Sequence, residues 1–318
     1  MSAHSHDQHA GHDHASAHAH APAPAHAHTQ VPADFGRAFA VGTVLNLIFV
    51  LFEFGFGWYA DSLALIADAG HNLGDVLGLL LAWFAVWLTR RPATMRHSYG
   101  FRRSPVLAAL ANASLMLLAA GAIGWEAAHR LQAPSTVQAS TMMWVAALGV
   151  LINGATAMMF MAGRKDDLNI RGAFLHMAAD ALVSLGVVLA GAIILITGWF
   201  WVDPAISLIL VATIAYGAWG LLREAMNLAL DAVPEGIDFE AVQQYLRGVE
   251  GVADAHHLHI WGLSTTEAAL TVHLVLRDGT QSNTLLQGVH ERLRTQFKIG
   301  HATIQAEFES GAACVTAG

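Results

Sequence analysis

The run from Leu63 to Leu88, LALIADAGHNLGDVLGLLLAWFAVWL, is long and apolar enough to cross a bilayer, yet it carries Asp68, His71 and Asp75. An ionisable group at membrane depth costs roughly 2.5–3.5 kcal/mol on insertion scales, so three in one span mark a functional position. His71 and Asp75 stand four residues apart and share one helical face. The same spacing returns at His176 and Asp180, inside the apolar run AFLHMAADALVSLGVVLAGAIILIT. Two HxxxD pairs on two membrane helices offer two imidazole nitrogens and two carboxylates, a set that suits a divalent ion such as zinc. Two carboxylates neutralise a dication, whereas the empty site must take up protons in its low-dielectric surroundings. Ligands have to be deprotonated to bind metal, so metal and protons compete for the same groups. That competition is a thermodynamic basis for metal/proton exchange.

The rest of the composition agrees with a membrane protein. The chain has 318 residues, 55% hydrophobic and 13% charged; a soluble domain carries about a quarter charged residues. A formal net charge of −8 gives no footing for nucleic acid. Cys314 is the single cysteine, which excludes intrachain disulfides and cysteine-based zinc sites. Nine of the 19 histidines fall in the first 28 residues. Residues 1–34 are low-complexity His/Asp/Ala sequence without apolar periodicity, which predicts a disordered tail that collects metal weakly. With no basic start and no apolar core before Phe35, this tail does not read as a signal peptide.

Six apolar runs follow, each near the roughly 20 residues that span a hydrocarbon core. They lie at Ala38–Tyr59, Leu63–Leu88, Val106–Ala128, Thr141–Ala162, Gly172–Thr197 and Val202–Leu222. The link after span 2 holds Arg90, Arg91, Arg96, Arg102 and Arg103, and the link after span 4 holds Arg164, Lys165 and Arg171. Basic links belong on the cytoplasmic side, which places both termini there too. From Pro234 the composition becomes soluble. Periodicity there predicts helices at Phe239–Arg247 and Asn283–Phe297 and strands at Ala255–Trp261, Ala268–Leu276 and Ala302–Phe308. The expected organisation is thus an α-helical membrane domain over 35–230, an αββαβ cytoplasmic domain over 231–310 and a tail at 311–318.

Other polar residues in the spans carry weaker expectations. Asp68 lies three residues before His71, suited to holding a ligand or lining a proton path rather than binding metal itself. Glu53 and Asp203 are candidates for cavity-lining roles, and Asn46, Asn112 and Asn153 for hydrogen bonds between helices. Gly70, Gly74 and Gly78 recur every fourth residue, the spacing of a close helix contact.

With DSLALIADAGHNLGDVLGLL, YGFRR, LNIRGAFLHMAADALVSLGVVLAGAI, GWFWVDPAISL, HHLHIW and TVHLVL in view, the chain resembles the cation diffusion facilitator family. It is most similar to the branch holding bacterial zinc/cobalt/cadmium exporters and animal zinc transporters. The resemblance runs from about Phe35 to Phe308. It implies six membrane helices, a homodimer, a ferredoxin-like cytoplasmic domain and proton-driven efflux across the inner membrane. It places His71, Asp75, His176 and Asp180 at the transport site, a set that goes with zinc. It also places His256, His273, His301 and Glu307 where relatives bind metal in the cytoplasmic domain. His257 stands where relatives often have Asp, and His259 belongs to the common LHIW run. Pro105 replaces an acidic residue usual at the start of span 3, and is placed to bend that helix.

Export of cobalt, nickel or cadmium fits the same ligands, because imidazole and carboxylate do not rank these ions by affinity alone. A membrane metalloenzyme needs an open metal position and a nearby base; four protein ligands close the shell, so no enzyme is expected. A sensor binding metal only through the tail and cytoplasmic domain is a further reading.

Overall fold

The computed structural model describes residues 36–161, 168–278 and 280–308. The His-rich tail, the 311–318 tail, Arg164 and Lys165 lie outside the described residues, as does the side chain of Asn46. Six helices come first: α1 Gly36–Tyr59, α2 Leu63–Thr89, α3 Ser104–Gln132, α4 Ala139–Phe160, α5 Leu168–Thr197 and α6 Val202–Ala229. Five of them, α2 to α6, are long and apolar enough to cross a membrane, and α1 adds the shorter apolar helix Leu47–Tyr59.

The helices pair both with sequence neighbours and across the chain. α4 packs chiefly on α5 and α3 on α6, with α2 set against α1 and α3. The glycines of α2 face α3: a Cβ at Gly70 would meet Ile123, one at Gly74 would meet Met116, and one at Gly78 would lie 2.7 Å from Asn112 Nδ2. The every-fourth-residue glycines therefore let α3 side chains sit against the backbone of α2, beside His71 and Asp75.

One end of the bundle is sealed. Ala64 and Leu65 of α2, Met142 and Ala146 of α4, and Val187, Ala190 and Ile194 of α5 form one buried cluster. Asp203, fully buried at the start of α6, locks this end. It accepts from Ser62 Oγ at 2.6 Å and from the backbone N–H groups of Leu63 and Ala64 at 2.9 and 3.3 Å. These are N–H groups that an α-helix leaves without an internal partner, and their end of α2 attracts negative charge. Toward the other end, α5 has no buried residue from Arg171 to Ala179, and α2 beyond Asn72 buries only Ala85.

Pro105 sits in the first turn of α3, where a missing N–H breaks no helical bond. α3 is helical throughout from Ser104, whose hydroxyl donates to Ala85 O at 2.9 Å.

The second unit has the order α7 Phe239–Arg247, β1 Val252–Gly262, β2 Ala268–Leu276, α8 Ser282–Thr295 and β3 Ile299–Phe308. Its sheet runs β1-β2-β3, with β1 antiparallel and β3 parallel to β2. Val242 and Leu246 of α7 and Val289 and Leu293 of α8 share one core with Leu270, Val272 and Leu274 of β2. β1 and β3 begin three residues earlier than their apolar alternation suggests, because ladder pairing extends through polar positions such as Asp254. Ion pairs of Arg102 with Glu267 and of Arg103 with Asp231 tie this unit to the arginine-rich link after α2.

Candidate metal centres

α2 and α5 each present an HxxxD face, and the fold sets the two faces opposite one another. His71 Nε2 lies 3.6 Å from Asp75 Oδ2, His176 Nε2 lies 3.4 Å from the same oxygen, and Asp180 Oδ2 lies 3.6 Å from His176 Nε2. The two imidazole rings meet edge-on with centroids 6.4 Å apart. All four residues are thus strung along one line of pairwise contacts.

The hydrogen bonding at this site is incomplete in an informative way. Asp75 Oδ2, Asp180 Oδ2 and His71 Nδ1 are buried and have no hydrogen-bond partner among the described residues. Buried polar atoms are rarely left so, and an orphaned group needs an explanation such as an ion. A cavity of about 270 Å³ opens beside them, lined by Asp68, His71, Asp75, Asn112 and Met116. His176 is nearly half exposed while Asp180 is almost fully buried.

The neighbouring polar groups divide. Asp68 is buried and accepts from Ser184 Oγ at 3.1 Å, outside the string of four. Asn112 donates to Met116 Sδ at 3.8 Å, and its amide lies against Gly78. Asn153 is buried, and its Nδ2 meets no acceptor among the described residues. Asp203 lines no part of the cavity; it caps α2 instead.

A second cluster lies on the sheet. His256 and His273 are directly paired across β1 and β2. His273 Nδ1 lies 2.9 Å from Glu307 Oε1, and His256 Nε2 lies 3.8 Å from Glu307 Oε2. One ligand atom from each of the three falls within 4.8 Å of the others, close enough to share a metal ion. His301 does not join them. It pairs with Ala269, four positions up the strand from His273, and its ring packs edge-on against Tyr99 at 5.7 Å. At about 3.3 Å per residue that register separates it from the cluster.

The residue that composition and pattern did not single out is His257. β1 carries an irregularity between His256 and His259, and His257 has φ 50°, a left-handed conformation uncommon for a non-glycine residue. This bulge brings the His257 ring to centroid distances of 5.4 Å from His256 and 5.3 Å from His273. Three imidazoles and one carboxylate therefore meet on this face. Strict strand alternation would send His257 to the opposite face, so only the run of adjacent histidines and the position's likeness to relatives pointed to it.

Comparison with known proteins agrees with both units. Residues 39–228 match the family model for the cation efflux transmembrane domain, and residues 234–309 match that for the cation efflux protein cytoplasmic domain. The metal cation efflux system protein CzcD of Cupriavidus metallidurans is 36% identical over 272 residues, covering 85% of this chain and 86% of that protein. The zinc transporter ZitB of Escherichia coli is 35% identical, covering 82% and 84%. The cadmium, cobalt and zinc/H(+)-K(+) antiporter of Bacillus subtilis is 33% identical, covering 80% and 83%. The matched family and these relatives are cation efflux transporters, which makes this chain a membrane cation transporter rather than an enzyme. The chain belongs to the cation efflux family, the cation diffusion facilitators.

Proposed function

We propose that this protein exports Zn²⁺ from the cytoplasm in exchange for protons, with His71, Asp75, His176 and Asp180 as the transport site. The observation that carries the reading is the string of contacts that links two imidazoles and two carboxylates across α2 and α5, with unpartnered buried oxygens, beside a cavity that His71 and Asp75 line. Two carboxylates balance the charge of the ion, and two nitrogens suit zinc over the harder manganese or magnesium. Relatives named as a zinc transporter and as a zinc-carrying antiporter with H⁺ support the assignment.

The cycle follows from the sealed and open ends. Zinc enters from the arginine-link side through the cavity and displaces protons from the four groups. The Leu65–Ile194 cluster then opens as the other end closes. Protons from the far side replace the ion, and the protonated site returns. With no interruption within α2 or α5, rocking of whole helices against one another is the form of alternating access the bundle suits.

The chain in this reading has six membrane spans, α1 included, in the inner membrane with both termini cytoplasmic. Its αββαβ unit over 231–310 has a ferredoxin-like fold and pairs two copies into a homodimer. The cluster of His256, His273 and Glu307 binds zinc there, joined by His257. Residues 1–34 serve as a dispensable metal-collecting tail. The name of the Bacillus subtilis relative favours a second reading of selectivity, in which cadmium and cobalt share the pathway.

Purified protein in proteoliposomes tests this directly. Zinc should accumulate against its gradient when a proton gradient is imposed, with cobalt and cadmium as competitors. No flux from folded protein would rule out the transport reading.

A further inference from the structure

The link between α2 and α3 folds back on itself. Thr94 and His97 exchange backbone hydrogen bonds at 3.0 and 3.1 Å, and the Gly100 N–H donates to His97 O at 2.9 Å. Gly100 has φ 66°, and a Cβ there would lie 3.3 Å from Arg91 O, so the turn suits a residue without a side chain. Where the returning link meets β3, it encloses a cavity of about 370 Å³. Arg91, Arg102 and His301 line it, together with the hydroxyl-bearing Thr89, Ser98 and Tyr99. Among the described residues no acidic side chain lines it. The Tyr99 and His301 rings meet edge-on at 5.7 Å, which joins the link to the sheet across the cavity wall.

The positive charge of this wall is only partly balanced from within the chain. Arg102 gives Nη1 to Glu267 at 2.6 Å, which leaves the rest of its five-donor fork. Arg91 pairs with no carboxylate among the described residues; its guanidinium lies over the Trp87 ring, 4.4 Å from the centroid. Trp83, Phe84 and Trp87, at this end of α2, are exposed, as aromatic residues are at a membrane–water boundary. A ligand in the cavity therefore sits at the level of lipid headgroups. An arginine fork matches the oxygens of a phosphate two at a time, and basic pockets beside membrane helices hold acidic headgroups.

We propose that this pocket holds the phosphate of an anionic phospholipid headgroup, gripped between Arg91 of the link and Arg102 and His301 beside the sheet. The acyl chains of such a lipid run along the exposed apolar side of α2 that carries Trp83 and Phe84. A free phosphate ion presents the same oxygens, but only the lipid is concentrated at this boundary. Bound there, the headgroup bridges α2, the link and β3, and adds to the ion pairs of Arg102 and Arg103 that seat the αββαβ unit on the bundle. His301, which does not reach the metal cluster on the sheet, serves the anion instead. The site takes no metal and does not depend on which ion crosses between α2 and α5.

Full-length protein in uncharged detergent, titrated by calorimetry with short-chain phosphatidylglycerol, tests the site; short-chain phosphatidylcholine and inorganic phosphate are the comparison probes. Phosphatidylglycerol should bind saturably, and Arg91→Gln should weaken it by about fivefold or more. Arg90→Gln removes the same charge from outside the cavity lining and should bind like the parent. Equal losses in the two variants would overturn the proposal, because they would mean diffuse attraction to the whole link. Phosphatidylcholine binding as tightly as phosphatidylglycerol would overturn it too. Inorganic phosphate binding as tightly would assign the pocket to a soluble anion and contradict the lipid. If Arg91→Gln does not fold, Ser98→Glu decides: it sets a negative charge in the wall, and undiminished binding by it would overturn the proposal. Zinc flux enters none of these readouts, so a failure here is distinct from a failure of the transport reading.

Discussion

His176 of α5 reaches across the bundle to Asp75 of α2, its Nε2 3.4 Å from Asp75 Oδ2, slightly closer than to Asp180 on its own helix at 3.6 Å. The two helices therefore meet through candidate metal donors, and removing any one should leave its neighbours with mismatched charge. Asp180→Asn keeps the shape and removes one negative charge. We expect it to weaken zinc binding by at least an order of magnitude, since charge neutralisation of the dication is lost. Calorimetric titration of the purified variant checks this; unchanged affinity would remove Asp180 from the ligand set.

Selectivity should hang on the imidazole of His71. His71→Asp replaces a nitrogen donor with a hard oxygen and adds negative charge, conditions that favour manganese-like ions. Competition flux should show a broader ion range than the parent. A variant with the parent's selectivity would mean that His71 does not set it.

Gly78→Val tests the packing of α2 on α3. Its Cβ would fall 2.7 Å from Asn112 Nδ2, so Asn112 must move or the helices must part. Overpacking of this kind costs about 1–3 kcal/mol. Thermal unfolding in detergent should show a lowered midpoint, whereas Gly55→Ala, where nothing lies within 4 Å, should leave it near the parent's.

Asp203→Ala would strip three donors at once: Ser62 Oγ, Leu63 N–H and Ala64 N–H. A buried donor left unpaired costs about 1–3 kcal/mol. Because the loss falls on the sealed end, we expect zinc to leak down its gradient without proton exchange, alongside lower stability. Vesicles made with this variant and loaded with zinc at equal pH on both sides would show the leak; parent-like retention would limit Asp203 to a local cap.

Much of the membrane site could be read from the chain because its signal is local. HxxxD on an apolar span sets two candidate donors on one helical face, and repetition on a second span supplies the facing pair. The glycines of α2 were legible for the same reason, although their partner, α3, was not. The sheet cluster was less legible because it depends on register. His301 has the right residue type but sits six residues before Glu307, and parallel pairing sets it against Ala269. His257 has the wrong parity for the cluster and enters it only through a bulge and a left-handed φ. Asp203 shows the same limit: it caps a helix well over a hundred residues away in sequence, a pairing that leaves no trace in spacing.

The central claim is that metal crosses at the α2–α5 ligands and is driven by protons. The most direct measurement is zinc uptake into proteoliposomes under an imposed pH gradient, with parent and Asp75→Ala reconstituted in equal amounts. We expect gradient-driven accumulation with the parent and none with Asp75→Ala, whose α2 contact to His176 is gone. Undiminished uptake by a folded Asp75→Ala protein would contradict it.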